Sequence, residues 1–397
     1  MDFTGFHKDN LLRKAVLELE NTNIEEFVLQ NKTFSTDEIQ YIATQIHCRK
    51  KAKHKLPDWY QNLNVLFPDK TSIEQCSSQA TATYKSSLFS GCHLLDLTGG
   101  LGVDTYYFSF QFQSVTYVEK HEPYYRAALN NFSALKRSNI CCINYSAEKF
   151  LQTISQNQFD TIYIDPSRRY HNNRVIRLED CSPNVITLMP LLFHKSPSVL
   201  IKTSPLVDIK HTLQILSNVS DIYVISVKNE CKEVLFKITS SCFSEPLVHA
   251  VCMNNDIKQT FSFTFSEEKF SEVKYSDPLT YLYEPDAALL KAGAFKWLSQ
   301  KYALFKLHTH THLYTSLTLV PHFPGRIFKV LHVLKYSKKE VHQTVKHSKA
   351  NVAVRNFPDS VSQVRKKLAL DEGGDIYLFA TTDMHDKHII LHTEKIS

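Results

Sequence analysis

Glycine is scarce in this chain, with nine residues in 397. A protein so poor in glycine places few of its turns in the left-handed region that this residue tolerates, so any cluster of glycines stands out. Cysteine forms no framework either: the nine present are an odd number, scattered, and nowhere spaced Cys-x-x-Cys. That excludes a zinc-ribbon pattern and a disulfide scaffold, and no metal is expected. Long apolar runs are also missing, so no segment reads as a membrane span. The opening Met1-Asp-Phe-Thr-Gly-Phe-His-Lys8 has no basic stretch leading into an apolar core, unlike a signal peptide. A cytoplasmic location without membrane attachment is the expectation.

A chain of 397 residues can bury more than one core, and two or three domains are expected. Its charge is uneven. Of the net +6, residues 301–397 carry +7, with 15 lysines and arginines against 8 acids, the first 300 residues carry −1, and ten of the 19 histidines lie in that last quarter too. A basic module suits a polyanion such as RNA, through phosphate contacts and counterion release. The alternative is a solvated basic surface.

Three of the nine glycines fall within four positions, in Leu94-Leu-Asp-Leu-Thr-Gly-Gly-Leu-Gly-Val-Asp104. Apolar residues run up to Asp96, then Gly99, Gly100 and Gly102 follow. This predicts a buried strand, a loop whose backbone comes close to a ligand, and a helix opening at about Val103, at the strand end where open parallel sheets bind ligands. A turn without a ligand is the alternative. Val103-Asp104-Thr105 stands where a dinucleotide fingerprint has its third glycine, which argues against a nicotinamide-dependent oxidoreductase.

Residues 1–90 read as helical from apolar spacings at Leu11, Leu12, Val16 and Leu19 and at Ile39, Ile42 and Ile46. Ser35-x-x-Glu38 predicts a capping box. The cluster Arg49, Lys50, Lys51, Lys53 and Lys55 reads as solvated surface or a nucleic-acid contact. Glu74 to Lys85, polar and rich in small residues, is expected to fold over the ligand pocket or to form a capping turn. From Gly91 strands and helices alternate as in a parallel sheet: Val115–Val118, Ile140–Tyr145, Asp160–Ile164, Ser198–Lys202, then Ile222–Val227 and Val234–Thr239 joined by the polar Lys228-Asn-Glu-Cys-Lys232. Glu119 closes the second strand seventeen residues beyond Gly102, where such folds place a carboxylate to accept hydrogen bonds from a ribose. Helices are expected from Pro123 to Lys136 and from Pro183. Further on, Phe261–Phe265 and His308-Thr-His-Thr-His312 alternate like strands. The three histidines would form a surface row about 7 Å apart, too wide for one metal ion.

With Asp96, the glycine loop and these units, the chain resembles class I S-adenosylmethionine-dependent methyltransferases. The resemblance implies an α/β fold: a seven-stranded Rossmann-like sheet behind an N-terminal helical region, with a smaller C-terminal α+β THUMP-like module. It implies S-adenosylmethionine as cofactor, held by Asp96, Thr98, Gly99, Gly100, Gly102, Asp104, Glu119 and Lys120, with Ser146 and Ala147 beside the adenine. Asp165-Pro166-Ser167-Arg168 stands where relatives acting on exocyclic amines carry Asn/Asp-Pro-Pro-aromatic. These four are the expected catalytic residues, with Ser167 and Arg168 departing from the pattern. A carboxylate there can hydrogen-bond an NH₂ group while Tyr170 or the planar Arg168 stacks on the base. Arg168, Arg169, Arg174 and Arg177 suit phosphate. No cysteine stands where a covalent pyrimidine C5 mechanism would need one, although Cys181 lies nearby.

Phe323-Pro-Gly-Arg-Ile-Phe328, Ala350–Pro358 and Gly373–Ala380, taken with Glu74–Lys85 and the Asp165 motif, resemble bacterial members with a ferredoxin-like segment and a C-terminal THUMP-like domain. The implied domains are 1–80 (helical), 81–240 (methyltransferase), 241–321 (connecting and ferredoxin-like) and 322–397 (THUMP-like). Because THUMP domains bind RNA, Arg326, Arg355, Lys366 and Lys367 are expected on phosphates. The function implied is methylation of a base nitrogen in structured RNA; the alternative is a non-catalytic RNA-binding protein with a degenerate fold.

Overall fold

The structure is a computed structural model describing residues 6–396, apart from 23, 31–32, 168, 171–172, 175–176, 242–243, 255–256 and 346–347. It divides into two compact units, Met1–Asn218 with Phe236–Cys242, and Val219–Leu235 with Phe243–Ser397.

The first unit opens with six helices, Phe6–Leu19, Ile24–Gln30, Thr36–Lys55, Pro57–Gln61, Lys70–Gln75 and Gln79–Ser86. The expected capping box starts the third: the Ser35 hydroxyl accepts from the Glu38 amide, and the Glu38 carboxylate accepts from the Ser35 amide at 2.8 Å. Such a cap contributes about 1 kcal/mol. Ala15, Val16, Ile42 and Ile46 bury the contact of this helix with the first. Trp59, fully buried, meets Tyr106 edge-on at 5.7 Å and joins the helical region to the helix Val103–Phe108.

The strands of this unit are β1 (Gly91–Asp96), β2 (Phe112–Val118), β3 (Ile140–Ile143), β4 (Thr161–Ile164), the two-residue pair β5 (Arg169–Tyr170) and β6 (Asn173–Arg174), and β7 (Ser198–Thr203). Five of them lie in the order β7-β4-β1-β2-β3, all parallel. Leu94, Leu95, Val115, Ile162, Ile164, Val199, Leu200 and Ile201 are buried along it, the near-continuous apolar filling of a sheet covered on both faces. Its carboxyl edge therefore gathers Asp96, Glu119 and Asp165.

The next two strands, β8 (Val219–Val227) and β9 (Glu230–Thr239), are longer than their sequences suggested. The expected five-residue connection shrinks to Lys228-Asn229, both in the left-handed region (φ 52° and 61°). Such a two-residue turn matches strand twist, so the polar Glu230, Cys231 and Lys232 extend the strand. In the second unit β10 (Leu247–Asn254) pairs parallel to β8, and β11 (Ile257–Phe263) antiparallel to β10. These two lie beyond the seven expected strands.

The remaining strands are β12 (Tyr281–Pro285), β13 (Phe305–Lys306), β14 (Tyr314–Ser316), β15 (Gly325–Lys335), β16 (Asn351–Arg355), β17 (Ile376–Thr382) and β18 (His388–Lys395). They form a mixed sheet ordered β13-β14-β12-β15-β18-β17-β16, in which β16 and β17 run parallel. Leu282, Phe328, Phe379 and Leu391 fill one cluster beside it, and Val364, Leu368, Leu378 and Ile390 another.

Two local expectations are corrected. His308–His312 is not a strand but a loop between β13 and β14: His308 pairs with Asp386 at 3.0 Å, and His312 stacks on Phe295 at 3.6 Å. Burial and the nearby Lys306 lower the His312 imidazole to about 4. The basic cluster after residue 48 is not uniformly solvated either. Arg49 is buried, donating to Glu20 at 3.2 Å and to the Tyr60 carbonyl at 3.1 Å, and Lys55 donates to the carbonyls of Ile73 and Glu74. Among the described residues no helix is long and apolar enough to cross a membrane.

Candidate cofactor and acceptor site

The glycine loop after β1 is held by short bonds to the neighbouring strand ends. The Asp96 carboxylate, 1 % exposed, accepts from the Thr105 hydroxyl at 2.6 Å and the Thr98 amide at 3.1 Å. Burial raises this carboxyl to about 7, against the pull of those hydrogen bonds. The Gly99 amide donates to the Val118 carbonyl at 2.9 Å, and the Tyr117 hydroxyl to the Gly100 carbonyl at 2.6 Å.

The glycines serve two different needs. A Cβ on Gly99 would stand 2.0 Å from the Tyr117 ring, and one on Gly102 (φ +87°) would stand 2.6 Å from Phe132. Those two permit close packing beneath the loop. Gly100 (φ +53°) faces open space, with nothing nearer than the Thr98 carbonyl at 3.9 Å. Its missing side chain leaves room for a ligand.

Glu119, 8 % exposed, accepts from the Gly100 amide on Oε2 at 2.9 Å and from the His121 amide on Oε1 at 2.7 Å. Each carboxylate oxygen has two lone-pair directions, so both oxygens keep capacity for a diol. Lys120 is exposed beside it. Ser146 caps the helix Ala147–Thr153 by accepting from the Lys149 amide at 3.3 Å, and Ala147 is buried.

The end of β4 meets the same loop. The Asp165 amide donates to the Thr98 hydroxyl at 2.7 Å, and the Leu97 amide to the Tyr163 carbonyl at 3.1 Å. Asp165 is half-buried, and Lys202 Nζ of β7 stands 2.5 Å from its Oδ2. Pro166 is buried and Ser167 exposed, the latter exchanging backbone bonds with Ser182 at 2.8 and 3.0 Å. Arg168 lies outside the described residues, and Arg169 and Arg174 are partners in the backbone register of the β5–β6 pair. Arg177 is exposed just beyond.

Asp104 turns inward. Its carboxylate accepts from the Tyr163 hydroxyl at 2.7 Å and the Ser77 hydroxyl at 2.8 Å, with Lys85 Nζ at 3.2 Å and Lys202 Nζ at 3.8 Å. Burial pushes this acid up, but the two ammonium groups and the hydroxyls outweigh it and hold it below the usual carboxylate range. Lys85 is fully buried and also donates to Ser77 at 2.9 Å. The segment Glu74–Lys85 thus supplies part of the scaffold under the site. Sequence reasoning gave no role to Lys85, Tyr163 or Lys202. The available signal was a lysine closing the apolar run Val199-Leu-Ile-Lys202, which needs a counter-charge once buried.

The four residues expected on phosphates in the last quarter of the chain separate. Arg326 Nε donates to the buried Glu284 at 2.6 Å, and the other oxygen of that carboxylate is paired with Arg355. Both guanidinium groups are therefore ordered by a carboxylate and remain partly exposed. Lys366 and Lys367 are exposed on the last turn of the helix Val361–Leu368, with Lys367 lying 4.0 Å over the Tyr336 ring. A separate cavity in the helical region, lined by Gln40, Tyr41, Thr44 and Lys70, shares no residue with the strand-end site. Among the described residues no group of three or more potential ligands could hold a metal.

A parallel sheet with a glycine loop, a buried acid after the second strand and an Asp-Pro turn after the fourth defines the class I methyltransferase architecture. The comparisons agree. A family model for a ferredoxin-like domain matches residues 281–324, and a THUMP domain-like model matches residues 325–395. The crystal structure of a proposed methyltransferase from Porphyromonas gingivalis W83 is 30% identical over 98% of both chains, with a TM-score of 0.87. This chain belongs to that family, the class I S-adenosylmethionine-dependent methyltransferases with a C-terminal THUMP-like domain. More distant are TrmK of M. capricolum in complex with S-adenosyl-homocysteine (11% identity, 45% of this chain and 70% of that one, TM-score 0.33) and SMU.1697c of Streptococcus mutans with the same ligand (11%, 41% and 96%, 0.31). No curated protein matches.

The residues at the strand ends fit the family's cofactor. Glu119 retains acceptor capacity for a ribose diol, and Gly100 leaves open space at the loop.

Proposed function

We propose that this protein is an S-adenosylmethionine-dependent methyltransferase acting on a base nitrogen in structured RNA. The observation that carries the reading is the junction of the Asp-Pro turn with the glycine loop through the 2.7 Å bond from Asp165 to Thr98. Bound S-adenosylmethionine supplies a methyl group already activated by the sulfonium. The chain's own work is then orientation and exclusion of water. Gly99, Gly100 and Gly102 shape the cradle, Glu119 accepts the ribose hydroxyls, and Thr98 fixes the backbone of Asp165 against the loop. The Asp165 carboxylate accepts a hydrogen bond from the exocyclic NH₂ of the acceptor and takes up the proton that this nitrogen loses, which then passes to water. A carboxylate serves better than an amide here because it can take up that proton as well as accept the hydrogen bond.

RNA as the acceptor is supported by the THUMP-like domain, the basic last quarter, and the arginines around the Asp165 turn. The protein would then be incubated with methyl-tritiated S-adenosylmethionine and total RNA from a strain lacking the gene. Label should enter RNA with the wild-type protein and not with Asp165→Ala. Label appearing only in added DNA or protein would overturn the RNA assignment, and turnover retained by Asp165→Ala would overturn the role of that carboxylate.

A further inference from the structure

Around the strand-end site charged side chains alternate in sign: Lys85, Asp104, Lys202, Asp165. Lys85 and Asp104 lie 3.2 Å apart, Asp104 and Lys202 3.8 Å, and Lys202 and Asp165 2.5 Å. Exposure rises along the series: the Lys85 side chain is 0% exposed, Asp104 and Lys202 are 11%, and Asp165 is 36%. Asp104 already has Lys85 as its own cation, supported by the Ser77 and Tyr163 hydroxyls. Lys202 stands between the two carboxylates but lies closer to Asp165, at 2.5 Å against 3.8 Å. The pairing follows from the sheet: β4 and β7 run parallel with Ile164 opposite Ile201, which brings the next residue of each strand side by side at the carboxyl edge. Burying an ammonium costs several kcal/mol unless it is paired, and an apolar residue would close this strand without that cost.

Resting on the methyltransferase reading, we propose that Lys202 is a positioning residue that fixes one oxygen of Asp165 and offsets its charge, reserving the carboxylate for the methyl acceptor. The cofactor is a cation that becomes neutral when its methyl group leaves. An uncompensated carboxylate beside the glycine loop would attract the cation most strongly before transfer, and binding that is stronger in the ground state than in the transition state slows the reaction. Lys202 cancels that attraction. Oδ2 is tied to Lys202, and the second oxygen is left for the acceptor's N–H.

This arrangement can be read without knowing the RNA. S-adenosylmethionine and S-adenosylhomocysteine differ by the methyl group and the positive charge, so the ratio of their affinities reports the local potential. Calorimetry with both ligands on the full chain should give Lys202→Met a ratio shifted about five- to tenfold toward S-adenosylmethionine, the scale of one unit charge several ångströms away in a partly screened site. Asp165→Asn should shift it the opposite way, Lys202→Arg should keep the wild-type ratio, and the double variant Lys202→Met/Asp165→Asn should return close to it. A purely structural lysine would lower both affinities together and leave the ratio alone. If Lys202→Met does not fold, the opposite shift in Asp165→Asn and the unchanged ratio in Lys202→Arg still decide. A wild-type protein that binds both ligands, with ratios in Lys202→Met and Asp165→Asn within twofold of wild type, overturns the inference and leaves the methyltransferase reading standing. A wild-type protein that binds neither overturns the reading and the inference with it.

Discussion

The amide of Asp165 donates to the hydroxyl of Thr98 at 2.7 Å, so the turn after β4 is locked to the glycine loop after β1. Through this bond the candidate acceptor-binding carboxylate cannot shift without moving the candidate cofactor cradle. Removing the hydroxyl should therefore damage geometry more than stability. Thr98→Val is expected to keep the melting temperature within a few degrees while lowering the rate of methyl transfer at least tenfold, the sensitivity that positioned reactants show to sub-ångström displacement. Thr98→Ser, which restores the acceptor oxygen, should recover most of it. Equal rates in Thr98→Val and wild type would show that the bond does not align the site.

Burial of Asp96 makes stability depend on pH. Its carboxyl is raised from 3.8 to about 7, chiefly by burial, so the folded chain holds a proton that the unfolded chain loses. The stability this proton confers is fully present below about pH 4 and is lost as pH rises through about 7. Urea unfolding of wild type and Asp96→Asn should give a difference in stability that changes steadily between those limits and is flat above them. A pH-independent difference would mean that the Asp96 carboxyl titrates alike in the folded and unfolded chains.

Lys85 and Asp104 form the buried base of the site. Lys85→Met leaves the Asp104 carboxylate with one fewer cation in a buried setting, a change that costs roughly 3–5 kcal/mol. Lys85→Met/Asp104→Asn should recover part of that loss, because no unpaired charge then remains. Chemical denaturation of the two variants checks the order, and a double variant no more stable than Lys85→Met would contradict the pairing.

In the last quarter of the chain, lysines and arginines should behave differently. Lys366 and Lys367 are exposed at a helix end, so Lys366→Glu/Lys367→Glu should weaken binding to bulk transfer RNA and flatten its salt dependence by about one to two units of log–log slope. Glu284→Gln should instead destabilise the fold, because Arg326 and Arg355 share that buried carboxylate. Filter binding across a salt series, alongside thermal melting, separates the two effects. An unchanged salt slope in the lysine variant would remove those residues from the RNA surface.

Much of the candidate site was legible in the sequence because its signals are local. Three glycines next to Asp96, an acid closing the second strand and Asp-Pro closing the fourth each follow an apolar run, and the structure brings all three together. What stayed hidden depends on partners far apart in the chain. Lys202 meets Asp165 across 37 residues, and nothing near either residue in sequence announces the other. Arg326 and Arg355 read as basic surface because Glu284, opposite Arg326 on the neighbouring strand, lies on a separate element. Local chemistry misled in two places. The polar run Lys228–Lys232 looks like a loop, but Asn229 accepts a left-handed conformation and lets a two-residue turn suffice. The alternation of His308–His312 mimics a strand, yet a histidine ring stacked on Phe295 and another paired with Asp386 hold a loop there.

Titration calorimetry of the purified full chain with S-adenosylmethionine, with NAD as the control ligand, decides whether the loop Asp96–Gly102 holds the cofactor. Binding of S-adenosylmethionine in the micromolar range, none of NAD, and loss of binding in Gly100→Val, whose side chain would enter the open space at the loop, is the predicted result. Binding of NAD alone, or S-adenosylmethionine affinity unaffected by Gly100→Val, would contradict it.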